Sequence, residues 1–361
     1  MILGLCLAIC CGASWGLFLA PLRIMKGWEW ENTWAVWSIV GMFLGPLLVG
    51  VVTVPHFWEV NRALGSGVLS LTLLLGAVAG MSGFLYSMTV PVIGLGLATA
   101  LNGGSSMAMS LLPLFVLHSR TVLHTSGVLT IIGVALSVTG IALCGQAGGL
   151  REREKSAASG DAGTKRTTGF SYGRNVFACC LAGIISSAMN IALAFPNPIF
   201  DVAHRFGSSD FGAANAFMAP YLIGGSFSNM AYSAYLLRKK RSFSRFFGRG
   251  AIPWALWSVF MSVVFLFGTY AYTGSVSLMG SFGGVIAWGV SMAAMILTSG
   301  MWDISLGEWS RKPLKSMVLG IGVLMTAIVV LSFAEFFHQI GDLSGGRACV
   351  RAHDSKLKWR L

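Results

Sequence analysis

The chain has 361 residues, of which 55% are hydrophobic and only 11% are charged, and its formal net charge is +12. Soluble domains carry about 25% charged residues, so this composition and a mean hydropathy of +0.73 exclude an ordinary soluble protein. The basic residues lie between long apolar segments, so the positive charge indicates membrane topology rather than nucleic-acid binding.

Ten apolar segments are long enough to cross a bilayer, which needs roughly 20 mostly apolar residues. Backbone polar groups at membrane depth must be paired internally, so each segment is predicted to be helical. The sequence therefore predicts an all-α polytopic membrane protein with ten transmembrane helices. Their ranges are about 2–20, 33–54, 68–88, 93–117, 124–145, 173–194, 212–237, 252–271, 278–299 and 313–337.

A polar segment at 146–172 separates these helices into two groups of five. It is rich in Gly and Ser and mixes five basic with three acidic residues, which is typical of a solvated linker. The predicted organisation is a first five-helix repeat at 1–145, a cytoplasmic linker at 146–172, a second five-helix repeat at 173–337 and a polar tail at 338–361.

The distribution of Lys and Arg predicts the orientation. One set of loops holds 17 of the 25 basic residues, including those of the linker and of the loop at 238–251. An excess of Lys and Arg marks cytoplasmic loops. The predicted location is therefore the plasma (inner) membrane, with several passes and with both termini on the outer side.

The two halves are predicted to be inverted repeats, because five spans per half is an odd number. A weak repeat agrees with this arrangement at one constant offset, with Gly133, Thr139 and Ile141 recurring as Gly320, Thr326 and Ile328. Inverted repeats are common in transporters, which bind substrate near the bilayer midplane where the repeats meet.

The predicted spans carry no Asp, Glu, Lys or Arg near their centres, although they do carry amides, hydroxyls and aromatic rings. Such groups suit a neutral sugar, whose C–H faces stack on rings and whose hydroxyls need donors and acceptors. The candidate substrate-binding residues are Ser14, Trp15, Tyr86, Asn102, Ser105, Asn190, Asn215 and Tyr221. Asn102 and Asn190 rank highest, since a buried amide is costly without a partner. The alternative for each residue is a hydrogen bond to a neighbouring helix.

Several short motifs, in this order, resemble the L-rhamnose–proton symporter family of the drug/metabolite transporter superfamily. They are Ala20-Pro21, Lys26-Gly-Trp-Glu-Trp-Glu31 to Trp34, Pro55-His-Phe-Trp58, Gly149-Leu-Arg-Glu-Arg-Glu154, Gly183 to Asn190, Gly307-Glu-Trp309 and Arg311-Lys-Pro313. The resemblance spans about residues 5–335. It implies ten helices in a five-plus-five inverted arrangement and import of a deoxyhexose driven by a proton gradient.

Two acidic residues at span ends are candidates for proton coupling. Glu31 and Glu308 both lie beside tryptophans, and partial burial there would raise the pKa of a carboxyl group. Glu31 is favoured, because Arg311 and Lys312 would lower the pKa of Glu308. The tryptophans at 28, 30, 34 and 37 are interpreted as an interfacial aromatic belt rather than as part of a binding site.

Other functions remain open at this point. An exporter of a small metabolite from the same superfamily would use the same bundle, and a membrane sugar sensor would bind without transporting. An enzyme is disfavoured, because the spans hold no paired carboxylates and no metal-ligand motif. No cofactor and no metal are predicted; the expected partners are a small neutral sugar, protons and the lipid bilayer, with no nucleic acid, and the oligomeric state is open.

Overall fold

The computed structural model describes residues 2–23, 25, 27–93, 95–110, 125–158, 169–194, 197–248, 250–279, 283–305, 312–327, 329–331, 333–334 and 337. All regular secondary structure within these residues is helical. The helices are α1 (Ile2–Leu17), α2 (Trp30–Trp37), a π-helix (Ser38–Leu44), α3 (Gly45–Thr53), α4 (Phe57–Ile93), α5 (Leu95–Ser110), α6 (Thr125–Ala158), α7 (Gly169–Ser186), α8 (Ala188–Ala194), α9 (Pro198–Arg205), α10 (Asp210–Lys239), α11 (Ala251–Met279), α12 (Gly283–Ser305) and α13 (Lys312–Leu331). Short 3-10 turns occupy Ala20–Arg23 and Ser242–Phe247.

Seven helical segments in the described part of the chain have the length and apolar composition of membrane spans, so the chain is an integral, polytopic membrane protein. Each coincides with one of the ten predicted spans. They are Ile2–Leu22, Trp30–Thr53, Gly65–Thr89, Thr125–Ala147, Gly173–Leu193, Ala251–Met279 and Lys312–Leu331. The third begins at Gly65, where α4 is broken by a positive φ of 73° that glycine adopts readily.

The other three predicted spans correspond to α5, α10 and α12. The apolar part of α12, Ile286–Trp302, is shorter than the seven spans. Helix α10 is rich in Ala, Gly, Ser and Asn, and it is buried without interruption from Gly212 to Leu222. A helix enclosed by other helices needs small residues for close packing rather than a lipid-facing apolar surface. Residues 111–117 of the predicted fourth span lie outside the described residues.

Glycines set the closest helix crossings. A side chain at Gly12 of α1 would overlap the carbonyl oxygen of Ser291 in α12, and one at Gly183 of α7 would overlap the carbonyl oxygen of Asn102 in α5. More broadly, α1 packs on α11 and α12 of the second half, while α7 packs on α4 and α5 of the first half. The two halves are therefore interleaved, with each half supplying the packing surface for the first helix of the other.

The segment predicted as a solvated linker is partly helical. Helix α6 continues to Ala158, and α7 begins at Gly169. Residues 159–168 lie outside the described residues.

Candidate functional site

A cavity of about 180 Å³ lies where the helices of the two halves meet. An engineered cavity of about 150 Å³ holds a benzene molecule, so this one has room for a six-membered ring. It is lined by Trp15, Phe18, Trp34, Trp37, Met42, Gly76, Ala79, Gly80, Ser82, Gly83, Tyr86, Asn102, Ser186, Met189, Tyr221, Leu222, Asn229, Phe265, Thr269, Trp288, Met292 and Met295. None of these lining residues is acidic, basic or histidine, so the cavity suits a neutral molecule.

One wall is an aromatic cluster from three helices. Trp15 of α1, Tyr272 of α11 and Trp288 of α12 have ring centroids 5.3 to 6.0 Å apart. The hydroxyl of Tyr272 donates to Oδ1 of Asn190 at 2.7 Å, and Nε1 of Trp288 donates to Oγ of Ser106 at 3.1 Å. These bonds fix the ring orientations, so the wall offers rigid aromatic surface for stacking.

The facing wall comes from α2. Trp30, Trp34 and Trp37 follow one another at i, i+4 and i+7 and stack with centroid separations of 5.0 and 4.5 Å. Trp34 and Trp37 are 1% and 3% exposed and line the cavity. Their interpretation as an interfacial belt is therefore wrong. The spacing was the missed signal, because it places all three rings on one helix face.

The amide of Asn229 in α10 holds this wall in place. Its Oδ1 accepts from Nε1 of Trp34 at 2.8 Å, and its Nδ2 donates to the carbonyl oxygens of Gly80 and Gly225 at 3.1 and 2.9 Å. Every hydrogen-bonding atom of this buried amide is thus paired. Asn229 therefore joins α2, α4 and α10 at the level of the cavity.

Three cavity residues hold polar atoms that are buried and have no hydrogen-bond partner among the described residues. They are Nε1 of Trp15, Nε1 of Trp37 and the hydroxyl of Tyr221. A buried polar group left unpaired costs about 1–3 kcal/mol. Within the described residues, these are therefore unpaired polar groups of residues that line the cavity, and each of the three atoms is itself buried in this structure.

Four of the eight residues predicted to bind substrate line the cavity: Trp15, Tyr86, Asn102 and Tyr221. The other four, Ser14, Ser105, Asn190 and Asn215, are absent from its lining, and three of them make bonds that explain this. Ser14 donates to the carbonyl oxygen of Cys10 at 2.8 Å, within its own helix. Asn190 accepts from Tyr272 behind the aromatic cluster. Asn215 bonds Thr53 at 3.1 Å and Thr273 at 3.2 Å, at the far end of α3.

Glu31 is fully buried in the first turn of α2, but it is not an isolated carboxyl in an apolar setting. Nζ of Lys240 lies 2.9 Å from Oε2, and Oγ of Ser242 donates to Oε1 at 2.7 Å. Both contacts stabilise the carboxylate. The expectation that partial burial beside tryptophans favours protonation of Glu31 is therefore wrong, because these two contacts favour the carboxylate. Glu308 lies outside the described residues.

Within the described residues, seven apolar helical spans and a cavity lined by uncharged side chains between the two halves define a polytopic membrane protein. The family model described as "L-rhamnose-proton symport protein (RhaT)" matches residues 1–341. The chain belongs to this family, whose members are transporters and not enzymes.

Relatives of similar length support the assignment. The chain is 25% identical over 338 residues to an L-rhamnose-proton symporter of Klebsiella pneumoniae strain 342, covering 90% of this chain and 95% of the relative. Proteins of the same description from Cronobacter sakazakii and Mannheimia succiniciproducens are 24% and 25% identical, covering 87% and 88% of this chain and 92% and 94% of the relatives.

Proposed function

We propose that the protein imports L-rhamnose, or a closely similar neutral sugar, together with protons across the plasma (inner) membrane. The observation that carries this proposal is the family match over residues 1–341, with relatives of the same length that are described as L-rhamnose-proton symporters. The uncharged cavity supports it, because it offers rings for the C–H faces of a sugar and unpaired donors for its hydroxyls.

The test is uptake of labelled L-rhamnose into membrane vesicles that contain the protein. Accumulation is expected when a proton gradient, acidic outside, is imposed, and no accumulation is expected without a proton-motive force. A sugar sensor would show no uptake, and an exporter would show outward movement in the same vesicles. Addition of a protonophore provides the control, since it should abolish accumulation while leaving exchange of labelled for unlabelled sugar.

We propose that the substrate contacts Trp15, Tyr86, Asn102 and Tyr221, and that Trp37 joins them. The cavity position of all five and the unpaired polar atoms of three of them support this assignment. Ser14, Ser105, Asn190 and Asn215 lie in the surrounding framework. We infer that their part in binding is indirect, through the helices and rings that they position.

Proton coupling is proposed at Glu31, with Glu308 remaining a prediction. Glu31 is the buried acid nearest to the cavity wall along α2, one turn before Trp34. Protonation would remove the charge that Lys240 pairs with and so weaken that contact. The test is Glu31→Gln, which should abolish gradient-driven accumulation and preserve sugar exchange. Accumulation with unchanged pH dependence would remove Glu31 from the mechanism.

We further propose ten spans in two inverted repeats, with the segment 146–172 in the cytoplasm and both termini outside. The reciprocal packing of α1 on α11 and α12 and of α7 on α4 and α5 supports an inverted pair. So do the matching crossings at Gly12 and Gly183. In this assignment α5, α10 and α12 are the fourth, seventh and ninth spans.

A further inference from the structure

The segment that leads into α2 is docked on the loop that follows α10. Besides the Glu31–Lys240 ion pair and the Ser242 hydroxyl, Nδ2 of Asn32 donates to the carbonyl oxygen of Ser242 at 3.0 Å. Glu31 and Asn32 are both 0% exposed. Two buried side chains from the first half therefore bond Lys240 and Ser242 of the second half.

A second set of contacts reinforces the first. Arg245 lies 2.8 Å from a carboxylate oxygen of Glu29 and donates to the carbonyl oxygen of Gly27 at 3.2 Å. Nε1 of Trp28 donates to the carbonyl oxygen of Arg245 at 3.2 Å. The Glu29–Arg245 pair is about two-fifths exposed and contributes little by itself. The contact of Glu31 with Lys240 carries more weight although Lys240 is about half exposed, because Glu31 is fully buried and separation leaves its carboxylate without a counter-charge.

The same two helices run from this contact to the cavity. Glu31 stands in the first turn of α2, and Trp34 and Trp37 of the next two turns line the cavity. Lys240 directly follows α10, which contributes Tyr221 and Asn229 to the lining. A change in how α2 sits against α10 therefore alters the cavity wall and the docked segment together.

An irregular helical segment follows α2 at the cavity, and its residue Met42 is part of the cavity lining. Helix α2 ends at Trp37, and residues Ser38–Leu44 form a π-helix before α3 begins at Gly45 with Pro46. A π-helix interrupts the regular hydrogen-bond ladder, and helices bend at such points. Segment Trp30–Trp37 is therefore separated from α3 by a place where the chain can bend.

The opposite end of the same helices is joined differently. Asn215, near the start of α10, donates to Oγ1 of Thr53 at the end of α3 and accepts from Oγ1 of Thr273 in α11. These groups are neutral. Both ends of the cavity are thus held by contacts between the halves, one by an amide and hydroxyls and the other by charges.

We propose that α2 is the moving gate of the transporter and that Glu31, Lys240 and Ser242 form the latch that holds it closed. Opening bends the chain at Ser38–Leu44, separates Glu31 from Lys240 and exposes the cavity on the side of the 240–247 loop. This role rests on the proposed transport function. The geometry of the gate is testable without any sugar.

The first test measures access to the cavity. A reporter cysteine at Thr269, which lines the cavity, is alkylated with a membrane-impermeant maleimide applied from the side of the 240–247 loop. The double variant Glu31→Gln/Lys240→Gln is expected to label about tenfold faster than the parent, because removal of the latch favours the open state. Lys239→Gln is the matched control, since Lys239 lies over the ring of Tyr235 and outside the latch. Variants without the reporter give the background.

A variant in which the two charges are exchanged tests whether faster labelling of the double Gln variant comes from misfolding. Glu31→Lys/Lys240→Glu keeps both charges in contact and should return the labelling rate to that of the parent. Equal labelling rates in the parent, the double Gln variant and the exchanged variant would overturn the latch.

The second test immobilises the gate by a cross-link. Cysteines at Glu29 and Arg245 are joined by a flexible thiol-specific cross-linker in purified protein that is then reconstituted into vesicles. Sugar exchange should fall at least tenfold, while stabilisation of the cross-linked protein by sugar is retained. The two single-cysteine variants treated alike are the controls. Exchange at the rate of the unlinked protein would overturn the gate. Absence of sugar binding and uptake in the unaltered chain would overturn the proposed function instead, and the labelling result would still stand.

Discussion

Three buried indole N–H groups offer a way to distinguish tryptophans that bind the ligand from tryptophans that only pack against other helices. The indole N–H groups of Trp15, Trp30 and Trp37 are all buried and unpaired among the described residues, but only Trp15 and Trp37 line the cavity. An indole N–H can donate and cannot accept. Under the substrate assignment proposed above, the hydroxyls and the ring oxygen of the sugar are the acceptors for these two indole N–H groups.

Replacing Trp15 or Trp37 by Phe keeps an aromatic ring and removes the donor. Each change should weaken sugar binding about two- to tenfold, which matches the net contribution of one hydrogen bond. Trp30→Phe removes an equivalent donor outside the cavity and should leave binding unchanged. Titration calorimetry of the purified variants provides the measurement. Equal effects of the three changes would show that the donors serve only packing.

The two highest-ranked amides should behave differently from each other. Asn102 lines the cavity, so Asn102→Leu is expected to lower sugar uptake several-fold with little effect on thermal stability. Asn190 accepts from Tyr272, so Asn190→Leu removes that partner and should lower the free energy of unfolding by about 1–3 kcal/mol. Sugar uptake and melting temperature are measured on both variants. A stability loss for Asn102→Leu with an uptake loss alone for Asn190→Leu would contradict this assignment.

For the helices, the sequence showed which segments are apolar over the length of a membrane span. It did not show which helices are buried by neighbouring helices. Seven predicted spans coincide with helices of suitable length, because lipid-facing residues must be apolar along the whole helix. Helix α10 is buried without interruption from Gly212 to Leu222, and its Ala and Asn residues there reflect helix contacts that no local pattern specifies. The Trp34–Trp37 wall was missed for a related reason. A tryptophan near a span end faces either lipid headgroups or the bundle, and only the packing decides which.

The sequence predicted the types of residue in the candidate site, but not the long-range contacts between them. The predicted spans have no charged residues near their centres and the cavity lining has none, and Trp15, Tyr86, Asn102 and Tyr221, which were proposed from residue type alone, line it. The ion pair of Glu31 depends on Lys240, which is 209 residues away along the chain. Such a contact is set by the fold of both halves, so a local reading placed Glu31 among tryptophans and missed its counter-charge.

The helix crossings at Gly12 and Gly183 should tolerate no side chain. Gly183→Ala and Gly12→Ala each place a methyl group into a carbonyl oxygen of the facing helix, and both should sharply reduce the folded fraction after detergent extraction. Gly322→Ala meets nothing within 4 Å and should be neutral or slightly stabilising, because alanine favours helix. Size-exclusion profiles after graded heating provide the comparison. A normal profile for Gly183→Ala would contradict the packing of α7 on α5.

For the whole molecule, the excess of basic residues predicts that the segment 146–172 faces the cytoplasm. A cysteine introduced at Ser159 should resist an impermeant maleimide in intact cells and react once the membrane is opened. A cysteine at His56, in the exposed loop between α3 and α4, is placed on the opposite side by the same argument and should react in intact cells. The reverse pattern would invert the orientation.

Because the cavity lining is uncharged, we expect the membrane potential to act on transport through the charge of the accompanying proton. If the sugar and the residues around it are neutral, each proton that accompanies the sugar moves one net positive charge across the membrane. One charge corresponds to about 2.3 kcal/mol per 100 mV, so a potential of about 100 mV, negative inside, should by itself drive sugar accumulation in reconstituted vesicles at equal pH on both sides. A potassium diffusion potential set with valinomycin provides the drive, and vesicles with equal potassium on both sides provide the control. If Glu31 carries the proton, the Glu31→Gln variant should exchange sugar in these vesicles without responding to the potential. Uptake by the unaltered chain that ignores the potential would mean that a compensating charge moves with the proton, and proton symport of a neutral sugar would then be the wrong description of the cycle.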